Sequence, residues 1–318
     1  MLLRPMTLLL HVGPPPLGPF WTAWPAEPVL QIALATAAAL YWLGWQRLRR
    51  RGGARVLAGW RSWAFAGGLF ALALALLSPI AAYDEALFFV HMIQHLLLLL
   101  VAPPLLLLSA PLVPWLWALP FAARRRVGRW LAPGRPLARI GSILTTPAVA
   151  AAAYVATVAV WHVPACFDLA QGRTLTHDLE HAMFFGTALL YWWPVIHPVG
   201  GRRTLSYAAA IPYLLPPMLE GILIGALITF AGRPLYQTYV GLPPTWGFST
   251  LADQQLGGLI MWVPGGLLFL IPLLGLLAAL LRQEERNAQR AEAVATARVG
   301  ARAERLPRSD SDMQPSAR

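Results

Sequence analysis

Seven apolar stretches alternate with short polar or arginine-rich connections along most of the chain. A helix needs about 20 apolar residues to cross the ~30 Å hydrocarbon core of a bilayer. Proline and glycine interrupt several of the stretches. The pattern predicts seven membrane-spanning helices, at about residues 28–46, 63–82, 87–109, 143–163, 175–196, 205–230 and 256–281.

Composition also indicates an integral membrane protein. The chain is 57% hydrophobic and 12% charged, with a mean hydropathy of +0.55, which is too apolar for an ordinary soluble domain. The single cysteine, Cys166, excludes an intramolecular disulfide framework and a Cys-x-x-Cys redox pair. We therefore predict an all-α integral membrane protein.

Arginine supplies all 25 basic residues and much of the net charge of +11. Most arginines follow the first, third, fifth or seventh predicted span, and only Arg4, Arg173 and Arg233 fall in the other connections. The positive-inside rule then places the N-terminus outside and the C-terminus in the cytoplasm. We expect an extracytoplasmic segment (1–27), a transmembrane domain (28–281) and an Arg-rich, partly disordered cytoplasmic tail (282–318). This charge suits anionic membrane lipids, not nucleic acid.

Two histidine pairs fall inside predicted spans: His91 with His95, and His177 with His181. A spacing of four residues puts both imidazoles of a pair on one helix face, about one turn (~5.4 Å) apart. Ionisable side chains inside a span are costly, so they are candidates for function. With the predicted orientation both pairs lie in the outer half of their spans. We predict that these four histidines bind one metal ion between the two helices.

Further polar or soft side chains fall at a similar depth or along the same spans. Gln94 and Glu180, inside the two motifs, are expected to orient the imidazoles. His162 and Asp253 are expected to guard entry from outside. Glu220 is either a proton or cation relay or a partner for backbone groups exposed by nearby prolines. The additional candidates for ligands or supporting groups are Gln94, His162, Glu180, Glu220, Asp253 and Met261.

Four blocks of the sequence resemble the multi-spanning CtaG-type assembly factors of caa-type cytochrome c oxidases. They are His91-Met92-Ile93-Gln94-His95 with Pro103-Pro104, Trp161-His162-x-Pro164, His177-x-x-Glu180-His181 with Tyr191-Trp192-Trp193-Pro194, and the block from Asp253-Gln254-Gln255 to Trp262. The resemblance implies a seven-span bacterial plasma-membrane protein that is needed to mature a haem-copper oxidase. It further implies a role in copper delivery, with oxidase subunits and copper chaperones as partners.

Our first hypothesis is accordingly a non-enzymatic assembly factor that receives copper from outside. Imidazole also suits zinc, and one histidine from each helix would suit haem, so zinc and haem rank after copper. One alternative is a transporter for copper or another divalent metal, with Glu220 and a broken sixth helix as the onward path. A haem-binding redox protein is another alternative. A membrane metalloenzyme ranks lowest, because the chain has no His-Glu-x-x-His motif.

Overall fold

A computed structural model describes residues 19–51, 58–132, 134–196, 205–242 and 245–304. Every regular element within these ranges is helical. Residues 1–18 of the predicted outer segment and residues 305–318 of the predicted tail lie outside them. The helices are α1 (Pro28–Arg50), α2 (Trp60–Leu76), α3 (Pro79–Tyr83), α4 (Phe88–Leu96), α5 (Ala102–Leu108), α6 (Leu112–Ala118), α7 (Phe121–Trp130), α8 (Pro136–Leu144), α9 (Pro147–His162), α10 (Pro164–Gln171), α11 (Thr174–Ile196), α12 (Tyr207–Thr229) and α13 (Thr250–Glu304).

The prediction of an all-helical chain is confirmed within the described ranges, where five segments are long and apolar enough to cross a membrane. A sixth span is added if α8 and α9, which meet at a 65° bend, cross together. Helix α11 has 23 residues, but polar side chains in its first two turns lower its hydropathy. Seven crossings and the orientation of the termini therefore stay predictions. The segments long and apolar enough to cross are Pro28–Arg50, Trp60–Tyr83, Phe88–Leu108, Tyr207–Thr229 and Thr250–Arg298.

Helix α13 is much longer than a membrane crossing requires. Its 55 residues correspond to a length of roughly 80 Å at 1.5 Å per residue. The predicted seventh span and the first part of the predicted tail thus form one continuous helix. Its residues from Arg282 to Arg298 are exposed.

A π-helical turn, Leu97–Val101, separates α4 from α5 directly after the first histidine pair. Pro103 and Pro104 have no N–H groups, so the carbonyl of Leu99 loses both its α-helical and its π-helical donor. The Trp192 indole of α11 donates to this carbonyl at 3.0 Å. This bond joins the third predicted span to α11 one turn beyond the histidines.

Glycines allow α13 to approach α12 and α4 closely. A Cβ on Gly258 would lie 2.6 Å from the backbone nitrogen of Thr229 on α12, and one on Gly257 would overlap the Phe88 ring on α4. Side chains larger than hydrogen would force these helices apart. The close approach brings the start of α13 against the start of α4.

Helix α12 is continuous although it contains Pro212, Pro216 and Pro217. Our expectation of a broken sixth helix was therefore wrong. Pro217 cannot donate to the carbonyl of Tyr213, and the Tyr191 hydroxyl donates to it at 3.3 Å instead. Tyr213 returns a hydrogen bond to the carbonyl of Tyr191 at 2.9 Å. A partner from α11 thus replaces the missing helical bond.

Candidate metal centre

Helix α4 presents His91 and His95 on one face, with their ring centroids 4.1 Å apart. Both side chains are buried. No side chain within α4 or next to it caps its N-terminus. Asp253 of α13 does so, because its two carboxylate oxygens accept hydrogen bonds from the backbone N–H groups of Phe88 and Phe89 at 2.8 and 3.0 Å. The start of the histidine-bearing helix is therefore held by another helix.

Helix α11 presents His177 and His181 in the same way, with their ring centroids 4.3 Å apart. The two helices face each other through these pairs. The His91 ring lies 5.4 Å from that of His177 and 5.8 Å from that of His181, and the His95 ring lies 5.7 Å from that of His181. All four imidazoles thus form one buried cluster between α4 and α11.

Two carboxylates complete the cluster. Glu180 Oε1 lies 3.7 Å from His95 Nε2, and Asp84 Oδ2 lies 3.8 Å from His177 Nε2. Both distances exceed a hydrogen bond. Two sets of four side chains place one nitrogen or oxygen atom each within 4.8 Å of the others, which suits a four-coordinate ion after small movements. The sets are Asp84, His91, His177 and His181, and His91, His95, Glu180 and His181.

The cluster is closed on one side by the connection between α12 and α13. The Tyr236 hydroxyl donates to the carbonyl of His162 at 3.1 Å, and the Tyr239 hydroxyl donates to the carbonyl of Asp84 at 2.7 Å. Asp168 accepts hydrogen bonds from the backbone of residues 237 and 238. These bonds hold the connection over the end of the centre that is predicted to face outside.

On another side a cavity of about 80 Å³ reaches the centre between α1, α3 and α11. It is bordered by Asp84, His177 and His181, whereas His91, His95 and Glu180 are not among its lining residues. Its remaining polar lining consists of Glu27, Glu85, Gln94 and Asp178. The approach to the histidines is therefore rich in carboxylates.

The chain matches the sequence model of the cytochrome c oxidase caa3 assembly factor family, Caa3_CtaG, over residues 39–283. The chain belongs to this family. The matched region runs from within α1 to α13 and includes both histidine pairs, Asp84, Glu180 and Asp253. The resemblance stated from the sequence is thereby confirmed.

Curated relatives of this family member come from mycobacteria. Uncharacterized proteins of Mycobacterium bovis and Mycobacterium tuberculosis are each 29% identical to the chain over 284 residues, and one of Mycobacterium leprae is 27% identical. Each alignment covers 87% of this chain and 42% of the relative, so the chain spans less than half the length of these relatives. No solved structure matches the chain.

Two further residues of the family's matched region lie beside the histidines. His162, at the end of α9, has its ring 5.9 Å from that of His95, and its Nδ1 donates to the carbonyl of Val158 at 2.7 Å. Gln94 lines the cavity and donates to the carbonyl of Ala75 at 3.0 Å, which Pro79 leaves without its helical donor. Gln94 therefore joins α4 to α2.

The other predicted residues have different surroundings. Asp253 caps α4. Met261 packs in an apolar cluster with Phe88 and Phe167, and half-buried Glu220 lies on α12. Among the described residues, neither Asp253 nor Glu220 belongs to a ligand set with the histidines. Their predicted role at a metal stays a prediction.

Sequence reasoning missed Asp84 and Gln171. Gln171, at the end of α10, is buried, and the nitrogen of its side-chain amide lies 3.2 Å from Nδ1 and 3.4 Å from Nε2 of His91. Burial raises the pKa of the Asp84 carboxyl well above its usual range, and Glu85 raises it further. A cation beside Asp84 would oppose this shift. The one signal in the sequence that could have indicated these two residues is their position at helix ends on the predicted outer side.

Proposed function

We propose that this protein binds copper from the extracytoplasmic side of the bacterial plasma membrane and delivers it to a haem-copper cytochrome c oxidase during assembly. The observation that carries the proposal is the cluster of four imidazoles and two carboxylates between α4 and α11. Membership of an oxidase assembly factor family supports a cytochrome c oxidase as the recipient of the copper. The protein acts as a carrier and not as an enzyme, with oxidase subunits and copper chaperones as its partners.

The donor atoms of the two ligand sets favour cupric copper over cuprous copper. Both ligand sets consist of imidazole nitrogens and carboxylate oxygens, which suit Cu²⁺ or Zn²⁺, whereas cuprous copper selects sulfur ligands. Met92 and Met261 belong to an apolar cluster with Phe88 instead. Haem fits less well, because the cavity of about 80 Å³ is below the range of ~300–1,000 Å³ of pockets for larger ligands.

Metal analysis of the purified protein tests the proposal. We expect wild type to retain one copper per chain after loading and gel filtration, and a His91→Ala, His177→Ala double variant to retain almost none. Each substitution removes one ligand from a different helix. Met92→Leu is the matched control, since it changes a buried residue between the α4 histidines and should keep full copper content. Equal copper in wild type and double variant would contradict the proposed site.

Glu220 keeps one second candidate function open, that of a transporter. In the described part of the chain neither carboxylate oxygen has a hydrogen-bond partner although both are buried, as a cation path would require. Net copper uptake by vesicles that contain the pure protein, abolished in Glu220→Gln, would favour transport. Absence of uptake would favour the carrier.

A further inference from the structure

The two ligand sets overlap, since His91 and His181 belong to both. A neutral imidazole binds a metal through one ring nitrogen while the other nitrogen carries its proton. The two shared histidines therefore cannot complete two four-coordinate sites at the same time. The cluster offers two alternative positions for a single ion.

Only one of these positions faces the cavity. Asp84 and His177 belong to the first set alone, and both line the cavity. His95 and Glu180 belong to the second set alone, and neither lines it. Glu180 is fully buried and His95 is 1% exposed. We call the first set the outer station and the second set the inner station.

Each station has one carboxylate to balance a cation, but the surroundings differ. Glu27, Glu85 and Asp178 border the same cavity as Asp84, so the potential at the outer station attracts cations. At the inner station both oxygens of Glu180 lack a hydrogen-bond partner in the described residues, as do both ring nitrogens of His95. Buried acceptors without partners are costly, and a metal ion would bind the acceptor nitrogen of His95 and a carboxylate oxygen of Glu180.

We propose that a divalent metal ion enters at the outer station and moves to the inner station by ligand exchange. This inference rests on the proposed function. His91 and His181 stay bound during the exchange, while Asp84 and His177 leave and His95 and Glu180 take their places. No electron is transferred, and the ion keeps its charge throughout. The outer station controls uptake, and the inner station protects the bound ion from solvent.

Two isosteric variants separate the stations. We use Cu²⁺ itself as the probe on the full chain in detergent and measure loading by stopped flow and release to an excess of chelator. Asp84→Asn should slow loading roughly tenfold or more and leave release slow, with one ion still bound at equilibrium. Glu180→Gln should load at the wild-type rate but release the ion roughly tenfold faster or more. Glu85→Gln is the matched control, because it removes a charge from the same cavity without removing a ligand.

Two results would overturn the proposed transfer between stations. One is the binding of two ions per wild-type chain, and the other is an equal effect of Asp84→Asn and Glu180→Gln on loading and release. Equal slowing of loading by Glu85→Gln and Asp84→Asn would also overturn it, because general attraction would then explain uptake. These outcomes leave the proposed function standing as long as the double histidine variant loses its copper. The experiments can therefore disprove the transfer between stations without disproving copper binding by the histidine cluster.

Discussion

Asp253 acts on the histidine-bearing helix from 165 residues further along the chain. Its carboxylate accepts from two N–H groups in the first turn of α4, where an anion also interacts favourably with the helix dipole. The neighbouring glutamines act on another segment: Gln254 accepts from the backbone of Leu235, and Gln255 donates to the carbonyl of Ala231. The Asp253-Gln254-Gln255 block therefore holds both α4 and the connection that covers the site.

Replacing Asp253 distinguishes a capping residue from a metal ligand. Asp253→Ala should lower the free energy of unfolding in detergent by about 1–2 kcal/mol, because two helix N–H groups lose their acceptor. Asp253→Asn keeps one acceptor oxygen and should cost less. Thermal unfolding and copper content are measured together. Loss of copper from Asp253→Ala at unchanged stability would instead make Asp253 a ligand.

The histidine pairs were predictable residue by residue, whereas Asp84 was not. Spacing within one helix determines which side chains share a face, so His91 with His95 and His177 with His181 could be paired from the sequence. Asp84 follows α3, a separate short helix, and lies 3.8 Å from His177 of α11. Helical periodicity relates only residues of the same helix, so it cannot pair Asp84 with His177.

At the scale of elements, small residues decide how closely the helices around the centre pack. Gly258 contacts α12 and Gly257 contacts α4 on successive residues of α13. These glycines let the backbone of α13 come close to α12 and α4, and only the tertiary structure shows this.

Enlarging one of these glycines should separate α12 from α13. We expect Gly258→Ala to lower the free energy of unfolding by about 1–3 kcal/mol, because its Cβ would lie 2.6 Å from two Thr229 atoms. Gly266→Ala, on the same helix, is the control: its Cβ would lie 3.9 Å from Ile222, an ordinary contact. Alanine also favours helix over glycine by up to about 1 kcal/mol. Equal unfolding temperatures for the two variants would refute this account of the packing.

The topology of the whole molecule depends on whether α11 crosses the membrane. Its polar first turns face α4 and form the centre, and this burial is what allows such residues inside a span. The seven-span prediction requires α11, α12 and α13 to cross in succession. If α11 does not cross, only α12 and α13 do, and the exposed end of α13 then lies on the opposite side of the membrane from the predicted one, relative to the residues before α11.

Cysteine labelling of intact cells tests this count. In a Cys166→Ser background, Arg173→Cys lies before α11 and Ala288→Cys lies on the exposed part of α13. In the seven-span prediction, three crossings separate the two positions. We expect a membrane-impermeant maleimide to label Arg173→Cys in intact cells and Ala288→Cys only after permeabilisation. Labelling of both from outside would show that α11 does not cross.

The sequence by itself determined the elements and the two imidazole pairs. Long apolar runs predict helices, and a spacing of four residues places side chains on one face, since both properties are local to one segment. Only the tertiary structure decided that Asp84 and Glu180 join the histidines, that Asp253 caps α4, and that one ligand set faces the cavity while the other lies behind it. These contacts join different helices, and their distances depend on how closely glycines and prolines allow those helices to pack.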